Sequence, residues 1–261
     1  MRTETRAIAN FRGLQIIVCC TALLGGGILS PAHASWGKCP DKVRDLVDQA
    51  DRVTRGKSSV GVMSMKVYKR GTVSVRMKMW SQGRDKFLAK IERPSRLRGM
   101  ATLKSGDNLW NYLPRMDRIV KLGSSMMGGS WMGSYFTNDD LVKETDIRKH
   151  YTCLSFSEDN NAYVVTVRPK PNAPVVWGKV VSKVIKDGPY MLWSRYYDER
   201  GKLKRTMTFK KVRTVQGRKL PTRIELQPAD APSERTVVAY HKIKFDVPIA
   251  ADTFTLRGLK R

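Results

Sequence analysis

From Thr72 to Trp80 the chain keeps a period of two: Val73, Val75, Met77 and Met79 take one side, Thr72, Ser74, Arg76 and Lys78 the other. Such alternation sets one face in a core and the other in water. Short runs of the same kind recur at about 84–93, 98–105, 108–113, 116–121, 150–157, 161–168, 178–187, 190–198, 202–214, 219–227 and 234–246. Turn signals such as Asp187-Gly188-Pro189 and Asp198-Glu199-Arg200-Gly201 separate them. Successive strands at hairpin spacing predict a large antiparallel sheet, curled or closed, and hence an α+β fold that is mainly β.

Two segments break the pattern. Before the strands, Pro40 suits a first helical position, and Val43, Leu46, Val47, Ala50 and Val53 recur at three- and four-residue spacing up to a stop at Gly56. This predicts an amphipathic helix lying on something apolar. Midway through the strands, Ser124–Asp140 reads SSMMGGSWMGSYFTNDD, with neither helical nor strand periodicity. Its end, Thr137 to Asp140, has the spacing of a capping box with Asp in place of Glu, which predicts a short helix over Leu141 to Arg148. Loops of this length inside a compact domain are typically functional lids or linkers.

At the start of the chain, Arg2, Arg6 and Arg12 precede an apolar run from Leu14 to Leu29, and Ala32-His33-Ala34 offers small residues for cleavage. This predicts an export signal over residues 1–34, cut after Ala34, and one mature domain over 35–261. Neither Cys19 nor Cys39 follows the small residue that lipid attachment requires. The signal takes three Arg and one Glu from the 49 basic and 23 acidic residues, leaving 46 and 22, a net charge of +24. Such a field favours anionic partners if it is concentrated, and otherwise simply solubilises every face. Cys39 and Cys153 are the cysteines left. In an oxidising compartment they either form a disulfide, tying the N-terminal helix to the body, or stay as two small buried thiols.

Residues suited to chemistry are scarce. The mature chain has two histidines, His150 and His241, neither at metal-ligand spacing with the other or with a cysteine, so no metal site and no cofactor are expected. Arg55–Ser59, RGKSS, lacks the first glycine of a phosphate loop, its place being taken by Asp51, and it follows a helix rather than a strand. Asp139 and Asp140 suit helix-start charges better than a catalytic pair. Trp193–Arg205, WSRYYDERGKLKR, interleaves bases and aromatics as single-strand binders do, but reads more simply as an amphipathic hairpin with its aromatics towards the concavity. Neither an enzyme nor a nucleic-acid binder is expected.

Taken in order, Glu92–Pro94 (ERP), Ser105–Pro114 (SGDNLWNYLP), Gly129–Leu141 (GSWMGSYFTNDDL), Gly217–Leu226 (GRKLPTRIEL) and Asp252–Arg261 (DTFTLRGLKR) resemble the LolA-like outer-membrane lipoprotein-sorting proteins. The resemblance spans nearly all of the mature chain. It implies an incomplete, half-open antiparallel barrel of about eleven strands around an apolar cavity, with helices and loops as a lid. It also implies a monomeric periplasmic carrier of acylated lipoprotein or lipid, loaded by an inner-membrane transporter and unloaded to an outer-membrane acceptor. Arg93 matches a family arginine that holds the lid closed, and Trp110 and Tyr112 match an aromatic strand. The chain's length is more like members that accompany lipid exporters of the RND type, with a lipid or hopanoid-like cargo. A basic glycolipid-binding protein is the remaining alternative.

Hiding one sixteen-carbon chain from water is worth roughly 12 kcal/mol, so such cargo needs a bilayer-like lining. Adaptable thioethers and hinge glycines suit that task. Met126, Met127, Trp131, Met132, Tyr135 and Phe136 are therefore expected at the cavity entrance, with Val73, Val75, Met77, Met79, Trp110 and Tyr112 lining it. Replacing Trp131 and Met132 by Ser is expected to weaken binding and leave stability nearly intact.

Overall fold

The computed structural model describes residues 36–142 and 147–261. The expected export signal at 1–34 lies outside the described residues. Helix α1 (Asp41–Val53) opens them, with Pro40 as its cap residue rather than its first turn. The strands follow: β1 (Ser58–Tyr68), β2 (Thr72–Gln82), β3 (Lys86–Arg93), β4 (Ala101–Ser105), β5 (Asn108–Leu113) and β6 (Arg118–Lys121). After a long interruption come β7 (Tyr151–Asp159), β8 (Ala162–Pro169), β9 (Lys179–Ile185), β10 (Met191–Tyr197), β11 (Leu203–Val215), β12 (Arg218–Pro228) and β13 (Arg235–Phe245). The interruption carries helices α2 (Asn138–Val142) and α3 (Ile147–His150), and α4 (Leu256–Lys260) ends the chain.

All thirteen strands form one sheet, in the order β6-β5-β4-β3-β2-β1-β13-β12-β11-β10-β9-β8-β7. The two halves are meanders joined where β1 pairs β13 antiparallel, so both edges fall on β6 and β7, consecutive strands in the chain. Among the described residues the two edges do not pair, and the sheet is the expected open half-barrel, with thirteen strands where about eleven are implied. β1 lies ahead of the expected runs, because its Ser58, Ser59, Gly61 and Ser64 dilute the alternation of Met63, Met65 and Val67.

Register places the apolar sets together. Met63 faces Met77, Met65 faces Val75, and Met79 faces Ala89, so three neighbouring strands present one continuous apolar face. Val73 does not belong to it. It is 41% exposed, because β2 begins at a hairpin that projects past the covered part of the sheet.

Two covers share this inner face. Val43, Val47 and Ala50 of α1 pack on Val165, Val167, Val180, Tyr196, Met207 and Leu226. Trp131 packs on Met63, Met65, Met77, Met79, Ile91 and Val238. Phe136 and Ile224 touch both clusters. A disulfide joins Cys39, just before α1, to Cys153 on β7, with Cα atoms 5.7 Å apart, within the usual range. On the opposite face Phe254 and Leu259 of the C-terminal segment cover Leu88, Ala101, Leu103, Trp110 and Tyr112. The capping Thr255 accepts from the Gly258 amide at 3.0 Å. A side chain at Gly258 would collide with the carbonyl oxygens of Asp252 and Thr253, so this turn requires glycine.

Candidate functional site

Residues 124–142, between β6 and β7, cover part of the inner face as a lid. It holds itself together first: Ser130 and Thr137 form an isolated bridge, the Trp131 amide donates to the Phe136 carbonyl at 2.7 Å, and Ser134 donates back to Trp131 at 2.9 Å. Met132 sits at φ 50°, a left-handed conformation that non-glycine residues seldom adopt. The capping box forms in both directions, the Thr137 amide donating to Asp140 Oδ2 at 2.7 Å and the Asp140 amide to Thr137 Oγ1 at 3.2 Å.

Polar contacts then fasten the lid to the sheet. Trp131 Nε1 donates to Thr102 Oγ1 on β4 at 3.1 Å, and the Tyr135 amide donates to Thr236 Oγ1 on β13 at 2.9 Å. The Tyr135 hydroxyl donates to Glu234. Arg205 on β11 donates to both carboxylate oxygens of Asp140, at 2.6 and 2.5 Å, and to the Tyr135 carbonyl at 3.3 Å. Its guanidinium also lies 4.3 Å from the ring centres of Trp177 and Tyr196, themselves 5.4 Å apart, so both tilted rings add cation–π attraction. Further along, α3 is tied to α1 by Arg148 to Asp48 at 2.8 Å. Arg84, on the β2–β3 turn, reaches Asp48 and Asp51 at 3.4 and 3.1 Å.

Where α1, the lid and the sheet meet, a cavity of about 310 Å³ remains. Its apolar lining includes Val47, Met63, Met79, Phe87, Trp131, Phe136, Leu141, Met207, Ile224 and Val238. The hydroxyls of Ser182 and Ser194 on its wall bond each other at 2.8 Å, so they present little unmet polarity. Arg84 and Lys104 stand at its polar end, and the Lys104 ammonium donates to the Arg84 carbonyl at 2.5 Å.

The expected site residues divide. Met79, Trp131 and Phe136 line the cavity. Val75, Met77 and Met132 belong to the cluster beside it, and Tyr135 packs at the α1 side. Met126 is 47% exposed, and Met127 is buried with Leu109 and Leu122 against β5. Trp110 and Tyr112 face the other side of the sheet, under α4, because Leu88 and Ala89 point oppositely and the aromatics follow Leu88. Arg93 is exposed and lines an open cleft with Arg76, Lys90, Arg98 and Arg261. Among the described residues Arg205 bonds the lid directly, at Asp140 and Tyr135. Its signal is a charge at an inward position, in step with Leu203, Met207 and Phe209 of the same strand.

Among the described residues no cluster of His, Cys, Asp and Glu could hold a metal ion, and no helix is long and apolar enough to cross a membrane. No curated protein matches the sequence. Several solved structures match the fold. One, provisionally described as an outer membrane lipoprotein-sorting protein domain, from Vibrio parahaemolyticus, is 21% identical with a TM-score of 0.74, covering 85% of this chain and 97% of its own. A DUF1329 family protein from Desulfovibrio piger is 22% identical with a TM-score of 0.73, covering 82% and 96%. A LolA superfamily protein from Nitrosomonas europaea is 19% identical with a TM-score of 0.68, covering 82% and 98%. This chain thus shares its fold with these solved structures, a LolA superfamily protein among them. A family model described only as "uncharacterized protein" matches residues 83–261, well over half of the chain, and the protein belongs to that family.

Proposed function

We propose that the protein is a periplasmic carrier that shelters the acyl chains of a lipoprotein or lipid beneath its lid and passes them towards the outer membrane. The observation that carries this reading is the apolar cavity roofed by a lid held with polar latches. The likeness to a lipoprotein-sorting domain supports it.

At about 310 Å³ the closed cavity is at the lower end of ligand-pocket volumes, about 300–1,000 Å³. A long acyl chain therefore enters by displacing Trp131 and Phe136 from above the methionines. The apolar lining pulls the chain in without direction, while the latches are made or broken as discrete contacts. That division lets cargo binding be strong in total and still reversible when an acceptor offers an equal lining. Loading from an inner-membrane transporter and monomeric action belong to the same proposal.

The test is saturable binding of an apolar fluorescent probe to the purified protein, with displacement by a diacylated peptide or a phospholipid. Displacement by acylated peptide and not by its unacylated form is the expected result. Absence of saturable probe binding would remove the carrier reading.

A further inference from the structure

A second concavity lies outside the cargo cavity and shares no residue with it. It is an open cleft of about 760 Å³ lined by Arg76, Lys90, Ile91, Glu92, Arg93, Arg98, Gly99 and Arg261. Five of those eight residues are cationic and one is acidic. The turn after β3 builds one wall: Gly99 donates to the Ile91 carbonyl at 2.9 Å, and Arg98 Nε donates to the Glu92 carbonyl at 3.2 Å. Arg261, held by Asp252 at 2.6 Å, comes from the C-terminal segment on the other side.

The pairing of charges here is unusual for a sheet. Lys78 stands directly opposite Lys90, and Arg76 directly opposite Arg93, on neighbouring strands. Like charges placed opposite one another destabilise a ladder. Glu92 meets Arg76 at 3.6 Å, which offsets part of this. Among the described residues the side chains of Lys90 and Arg93 enter no ion pair or hydrogen bond. Partial burial also holds the Lys90 ammonium below the usual lysine range, as expected of a cation without a counter-charge.

Arrangement as well as charge suits a tetrahedral oxyanion. Arg76, Arg93 and Arg98 bring guanidinium groups from three segments to one cleft, where a guanidinium can take two oxygens of a phosphate, and Lys90 adds a point charge. We infer that this cleft is a phosphate-binding site, for phosphate carried on a lipid headgroup or free in solution. It stands independently of what the apolar cavity holds.

The experiment compares the purified protein with R76Q/R98Q and with K170Q/K202Q, which removes the same charge from exposed positions on the other half of the sheet. Each protein is sedimented with phosphatidylcholine vesicles with and without phosphatidylglycerol, and titrated calorimetrically with inorganic phosphate. A basic residue at an anionic surface contributes about fivefold to binding, so the cleft variant should bind anionic vesicles about thirtyfold more weakly. K170Q/K202Q should stay within twofold of the parent, and R76K/R98K, which keeps the charge but loses the forks, should recover only part of the binding. Vesicle binding without phosphate binding assigns the headgroup source, and phosphate binding alone assigns a soluble source. Equal losses in the two charge-neutralised variants, or no binding of either ligand by the parent, overturn the inference. Unchanged apolar-probe affinity in R76Q/R98Q confirms that the variant is folded, and keeps this outcome separate from that of the carrier reading.

Discussion

Arg205 on β11 and Asp140 on α2 meet as a two-toothed ion pair, at 2.5 and 2.6 Å, with side chains only 4% and 3% exposed. Removing one member of a buried pair strands the other charge and costs about 3–5 kcal/mol. Arg205→Met should therefore lower unfolding stability by that amount in a urea titration, and should speed probe uptake in stopped flow. Adding Asp140→Leu should restore most of the stability, since both charges are then gone. A loss under about 1 kcal/mol in the single variant would show that Arg205 does not hold the lid.

Trp131 is 3% exposed, a core side chain that belongs to a loop. The expectation that it could be replaced with little effect on stability is corrected by that burial. Trp131→Ala should cost about 3–5 kcal/mol and also abolish probe binding. Trp131→Phe should keep most of the packing and lose about 1 kcal/mol with the Thr102 hydrogen bond. Comparing the two by chemical denaturation separates packing from polar anchoring.

The Cys39–Cys153 bridge spans a sequence separation of 114. By the chain-entropy relation a loop of that size is worth about 4–5 kcal/mol. Cys39→Ser/Cys153→Ser should lose stability of that order. Because the bridge anchors α1, hydrogen exchange should quicken in α1 before it does in β1 and β2. Uniform quickening would place the bridge's effect entirely in the unfolded chain.

Asp117 takes a hydrogen bond from Lys260 at 2.8 Å and one from the Tyr112 hydroxyl at 2.9 Å. The bond to Asp117 raises the Tyr112 phenol above its ordinary value, and the bond from Lys260 lowers the carboxyl below its own. A carboxyl depressed in the folded state stabilises above its unfolded value of about 3.9 and loses that contribution as pH falls through the folded value. The α4 tether should therefore persist at neutral pH and release only in acid below that range. Asp117→Asn should bring the Tyr112 titration down towards its ordinary value, read by ultraviolet absorbance. An unmoved titration would exclude the contact.

Much of this was legible because the period of two is a local property. Val75, Met77 and Met79 point inward as their alternation requires, and the Thr137–Asp140 capping box closes as its spacing predicts. What escaped was set by distant partners. Trp110 and Tyr112 alternate correctly, yet which face of their strand meets the cavity depends on α4, 140 or more residues later, covering the other. Asp140 reads as helix initiation and is that, but its second role needs Arg205, 65 residues on. Val73 keeps the alternation of its strand beyond the point where anything covers it.

The sheet's two free edges, β6 and β7, are neighbours along the chain, and the lid is the cord between them. A cord tied at both rims cannot be lifted without moving at least one rim or drawing slack from its own turns. Widening the mouth and raising the lid are then one motion. A displacement of either rim would then be felt at the Arg205–Asp140 latch.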